Sequence, residues 1–138
     1  MNPQALASKA EDLQQTAESL IKHLRDLGGA FRPARGATVG VRQELGSLCQ
    51  VLKILQEDLG SDAATTLPVE YLDGLSTTVH RCDTTFGQGL ILLQSYHTQI
   101  RSGTLDWVGK GRGEADALLQ DIQNHRADII KHIDKISE

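Results

Sequence analysis

Apolar residues recur every three and four positions in four separate segments, and this restricts the chain to α-helices packed on one another. The longest run lies between Pro68 and Ser102. Leu72, Leu75, Val79, Cys82, Phe86, Leu90, Leu93 and Ile100 keep the rhythm, which breaks only at position 97, where His97 stands. Side chains spaced in this way return to one face of an α-helix every turn. Leu67, Val69, Ile91 and Leu92 widen the stripe. An unbroken helix over this span runs ~52 Å at ~1.5 Å per residue. A stripe of that length cannot stay in water, so the other segments must cover it.

Three further stripes are available to do so. Leu6, Ala10, Leu13, Ala17, Leu20, Leu24 and Leu27 alternate in steps of four and three, with Ile21 beside them. That is a heptad pattern. Asn2 caps this segment and Pro3 suits its first turn; Gly28-Gly29 is expected to end it, because glycine accepts the left-handed position after a helix. Val41, Leu45, Leu48, Leu52, Leu55 and Leu59 form the second stripe, broadened by Cys49, Val51 and Ile54. Glycines at 36 and 40 leave its start open between Pro33 and Thr38. Ala115, Leu118, Ile122, His125, Ile129, Ile133 and Ile136 form the last, flanked by Leu119 and Ile130. Gly87 and Gly89 interrupt the third segment without shifting its phase. They predict one helix, bent there or in close contact with a neighbour.

The expected fold is an all-α antiparallel bundle of four main helices, at about 3–27, 37–59, 68–102 and 114–136, with a short extra turn near 105–109. No alternating strand pattern of convincing length occurs. A chain of 138 residues fits one domain, residues 1–138. The net charge of −4 argues against a nucleic-acid partner, which favours a basic excess. No secretory signal and no run of ~18 apolar residues is visible, so the expected location is the cytoplasm, with a peripheral membrane contact as the exception.

The search for chemistry returns little. Carboxylate-bridged diiron bundles use Glu-x-x-His pairs, and the five histidines include none. His125 and His132 share a helix face two turns apart, but two histidines without a third ligand make a weak metal signal. Cys49 and Cys82 each sit on a leucine-rich stripe, as reduced core thiols do. Neither has a base partner in sequence, and no G-x-S-x-G elbow occurs. The glycine-rich run at 109–113 lacks the GxxxxGK[ST] pattern. No enzyme and no cofactor are expected. Trp107 is expected as a lid on the bundle end, near residues 28 to 41, with a partner hot spot as the rival role. Arg32, Arg35 and Arg42 follow the first helix, and Lys110 and Arg112 precede the last. With Trp107 they are the candidate interaction residues.

The final third has a familiar order: Leu105-Asp106-Trp107, a short Gly/Lys link, Glu114-Ala115-Asp116-Ala117-Leu118-Leu119, then a helix bearing Asn124-His125-Arg126. It resembles the fungal N-terminal helical domains of the HeLo-like and SesA-like group, found ahead of NACHT-type and ankyrin-repeat modules. Met1-Asn2-Pro3, Val41-Arg42-Gln43-Glu44-Leu45-Gly46-Ser47-Leu48 and Arg81-Cys82-Asp83 extend the likeness over nearly the whole chain. The resemblance implies a non-catalytic signalling or regulatory domain of a larger fungal protein. Its partner would be a protein, another domain of the same protein or a second copy. Some HeLo-type members execute cell death at membranes in non-self recognition, using a nearly all-apolar opening segment. Here Lys9, Glu11, Asp12, Gln14 and Gln15 interrupt that segment, which ranks membrane killing second.

Overall fold

The computed structural model describes residues 2–137, without the side chain of Ser137. Met1 and Glu138, the two ends of the expected domain, lie outside them. Four helices appear: α1 Pro3–Ala30, α2 Arg35–Leu59, α3 Val69–Ser102 and α4 Arg112–Ser137. No strand occurs among the described residues. Three short helical turns connect the four helices: 3-10 turns at Arg32–Ala34 and Asp62–Thr66, and a π-turn at Trp107–Gly111. The fold is the expected all-α bundle.

The stripes supply one shared core. All seven stripe residues of α1 are buried, as are all six of α2. On α4, Leu118, Ile122, Ile129 and Ile136 are buried. The packed pairs are α1–α2, α2–α4, α1–α3 and α3–α4. Consecutive α2 and α3 therefore occupy opposite corners. Gln56 reaches Gln14 across α1–α2 at 2.8 Å, while Gly28 lies against Thr38, so this pair is antiparallel. Lys9 pairs with Asp83 at 3.4 Å and the His23 and His97 rings meet at 6.4 Å, so α1 and α3 run parallel. The α1–α2 and α3–α4 junctions thus share one end of the bundle.

Local rules set the ends. Asn2 accepts the Ala5 N–H at 2.7 Å, with Pro3 in the first turn. Helix α3 ends on Gly103, whose φ of 70° is the left-handed conformation. The Thr104 N–H bonds Gln99 O at 2.8 Å and the Gly103 N–H bonds Ile100 O at 3.2 Å. These two bonds define a Schellman close.

Four expectations are corrected. Helix α1 does not stop at Gly28-Gly29 but continues to Ala30. Gly28 is buried, and a Cβ there would stand 2.7 Å from Thr38 Oγ1; this glycine lets α2 approach. The α3 stripe is not broken near 97, because Tyr96 is buried in the step between Leu93 and Ile100. Helix α4 starts two residues early, at Arg112, since the preceding turn winds directly into it, while α2 starts at Arg35, inside the span left open between Pro33 and Thr38. The link at 61–66, polar in sequence and expected as a small loop, instead forms a 3-10 turn at Asp62–Thr66, with Ala64 buried. Helix α3 passes Gly87 and Gly89 uninterrupted; a Cβ on Gly89 would meet Leu20 of α1 and Leu118 of α4 at 3.5 Å.

Candidate interaction surface at the junction end

The end shared by the two junctions is organised around Trp107. Helix α1 closes as the Phe31 N–H bonds Leu27 O at 2.8 Å, and Phe31 turns extended with φ of −136°. Its ring then meets Trp107 edge-on at 6.4 Å. Tyr96 of α3 also meets the indole edge-on, at 6.2 Å. Such geometry favours aromatic pairs beyond the area they bury. The Tyr96 hydroxyl lies 3.2 Å from Gly111 O and 3.0 Å from Glu114 Oε1, tying α3 to the start of α4. Burial first, then Glu114, holds its proton well above the usual tyrosine range.

The turn that carries the indole is equally constrained. Asp106 Oδ1 accepts the Gly109 N–H at 2.9 Å, and Asp106 O accepts the Gly111 N–H at 2.9 Å, a five-residue step. A Cβ on Gly111 would stand 2.7 Å from Trp107 Cε3, so only glycine lets the backbone fold over the ring. Leu24, Leu27, Val41, Leu93 and Leu118 line the space beneath, whose free volume of about 10 Å³ holds at most one water. Trp107 is 7% exposed. The indole is a plug in the bundle end and does not present a face to a partner.

Around the plug stand the cations. Arg32 and Arg35 on one junction, and Lys110 and Arg112 on the other, are all exposed. The Phe31–Trp107 contact brings the two sets to the same end. Arg35 Nε also donates to Gly28 O at 3.4 Å, where the carbonyl end of α1 favours positive charge. Arg42 does not join them. It lies two turns along α2, half-buried, and its Nε is enclosed without a hydrogen-bond partner among the described residues. Arg101, which with Lys110 and Arg112 makes this junction basic in sequence, is exposed on the last turn of α3. One neighbour escaped the sequence reading. Val108 is 88% exposed beside the buried indole. An isolated apolar residue after a tryptophan carries no periodicity that predicts its exposure.

Two thiols and two histidines of chemical interest remain. Cys82 is buried and Cys49 half-buried, both as free thiols. Burial chiefly, helped by Asp83 and Glu18 respectively, pushes Cys82 up to about 12 and Cys49 up to about 11. Neither presents a thiolate at neutral pH. His125 and His132 face threonines of α3. Among the described residues no three His, Cys, Asp or Glu side chains gather as metal ligands. No family model, curated protein or solved structure matches this chain.

Proposed function

We propose that this chain is a non-catalytic protein-interaction domain with a signalling or regulatory role, which docks an acidic segment on its junction end. One observation carries the reading: Arg32, Arg35, Lys110 and Arg112 stand exposed on two junctions locked together by the Phe31–Trp107–Tyr96 stack, in a chain of net charge −4. A fixed basic patch on an acidic body steers and orients acidic partners. The acidic segment belongs to another domain of the same protein, a second protein or a second copy. The resemblance to HeLo-like and SesA-like fungal domains supports the signalling role, and the high thiol pKa values support the non-catalytic one. A cytoplasmic location accords with two free cysteines.

The test is fluorescence anisotropy with a labelled poly-glutamate peptide as probe. Binding should weaken with added salt and disappear in the R32E/R35E/K110E/R112E variant, while R42E leaves it within about twofold. Equal binding by the wild type and the fourfold variant overturns the reading. Val108 favours a second reading, the HeLo-type membrane-targeting one, since an exposed apolar side chain on the same end as exposed cations also suits an anionic lipid surface. Cosedimentation with phosphatidylserine vesicles, without poly-glutamate binding, would select it.

A further inference from the structure

Helices α3 and α4 meet along a polar seam held in register. Thr78 Oγ1 and His132 Nε2 are 3.1 Å apart, and Thr85 Oγ1 and His125 Nε2 are 2.7 Å apart. Seven positions forward on α3 are matched by seven backward on α4, so the two bonds repeat along antiparallel helices. Tyr71 closes the far end. Its hydroxyl donates to His132 O, and its ring meets the imidazole edge-on at 5.5 Å.

The bonding fixes where a proton sits on His132. Thr78 Oγ1 donates its hydrogen to Gly74 O at 3.2 Å. Toward His132 it is therefore an acceptor, and Nε2 carries the imidazole hydrogen. Nδ1 is left as the basic nitrogen. It is enclosed and has no hydrogen-bond partner among the described residues. A second proton would create an N–H with no acceptor and a charge with little water to solvate it.

The charged groups around the site leave this cost standing. Arg81 of α3 and Lys131 and Lys135 of α4 border His132, together with Asp128 and Asp134 of α4 and Glu70 of α3. Burial chiefly, then Lys135, holds the ring below the ordinary histidine range, with Asp128 opposing. His125 is lowered in the same sense by burial and Arg81, while Asp121 and Asp128 oppose.

We infer that the α3–α4 seam is a pH-sensitive clasp, which opens when His132 takes a proton at Nδ1 and its bond line to Thr78 and Tyr71 gives way. His125 adds a second contact to the same seam. The closed seam binds fewer protons than the open one. Opening is therefore favoured as pH falls below the ordinary value of ~6.5, by up to about tenfold per pH unit for each histidine. Opening uncovers core side chains of α4 such as Ile129. The clasp stands independently of the basic junction end.

Amide hydrogen exchange of the whole chain tests it, with rates at each pH expressed as protection over the unfolded chain. Protection at residues 74–82 and 128–136 should fall by up to about tenfold per unit between pH 6.5 and 5, while the α1–α2 pair holds. His132→Gln keeps a donor at the Nε2 position but cannot titrate, and should remove the His132 share of this dependence, leaving only what His125 contributes. The same fall in the variant overturns the proposal. NMR titration of the His132 ring in the wild type decides independently of any variant's folding: a midpoint below ~6.5 supports the clasp, and a midpoint at or above it overturns it.

Discussion

At Gly28 the side chain that is missing matters more than the backbone freedom gained. The residue is helical and buried, and a Cβ would stand 2.7 Å from Thr38 Oγ1. That hydroxyl is already committed to Arg35 O at 2.8 Å, so it cannot swing aside without losing the bond. Gly29, one position on, has nothing within 4 Å of the same atom. Gly28→Ala should cost about 1–3 kcal/mol, the usual range for overpacking. Gly29→Ala should be neutral or stabilise by up to about 1 kcal/mol through helix propensity. Urea denaturation of the two variants checks this; equal effects would mean that α1 and α2 do not touch at Gly28. Trp107 offers a second residue-scale measurement. Enclosed by Phe31 and Tyr96, its emission should be blue-shifted in the native protein and move to the red on unfolding. A native spectrum matching free tryptophan would place the indole in water.

At the scale of elements, α3 shows why glycine cannot be read by type alone. Gly87 has open space where a Cβ would go, Gly89 has only ordinary contacts at 3.5 Å, and Gly103 has a φ of 70°. Gly87→Ala and Gly89→Ala should each raise stability, by up to about 1 kcal/mol. Gly103→Ala should lower it by about 1–2 kcal/mol, the cost of a left-handed conformation for a residue with a Cβ. Thermal melts of the three variants check the order, and a destabilising Gly87→Ala would mean the helix bends there. The same helix marks how far the sequence was legible. Its length, its single-helix character and its apolar face followed from the three-four rhythm, because that rhythm reports burial directly. Thr78, Thr85 and Tyr96 are buried but polar, and they went unnoticed because their partners, His132, His125 and Glu114, lie 54, 40 and 18 residues away. The candidate surface divides in the same way. Arg32, Arg35, Lys110 and Arg112 are visible as local basic runs. That the two runs share one end follows from the antiparallel alternation of short-linked helices, which already places Trp107 near residues 28 to 41; that Arg42 stands apart depends on its partial burial two turns along α2, which no local pattern encodes.

For the whole molecule the outstanding choice is between a docking domain and a membrane-active one, and the energetics of α1 bear on it. Among the described residues no helix is long and apolar enough to cross a membrane. Inserting α1 would carry Lys9, Glu11, Asp12 and Glu18 into hydrocarbon, at about 2.5–3.5 kcal/mol for a charge near a helix centre. Leucine and isoleucine return only about 0.3–0.6 kcal/mol each on the same scale, so Leu6, Leu13, Leu20, Ile21 and Leu24 cannot offset the charges. An in-plane position on the bilayer avoids that cost, because α1 is amphipathic. It meets a different obstacle. Leu6, Leu13, Leu20 and Leu24 are at most 3% exposed, and each already packs in the core, so surface binding through α1 requires the bundle to come apart. The junction end carries no such requirement, since its cations and Val108 are already outside. The folded chain should therefore release no dye from phosphatidylserine-containing liposomes at micromolar concentration and neutral pH, whether or not it adheres to them. Strong leakage that vanishes when residues 1–27 are deleted, in a variant shown to remain folded, would reverse the ranking. It would make α1 the working element and the bundle its closed state.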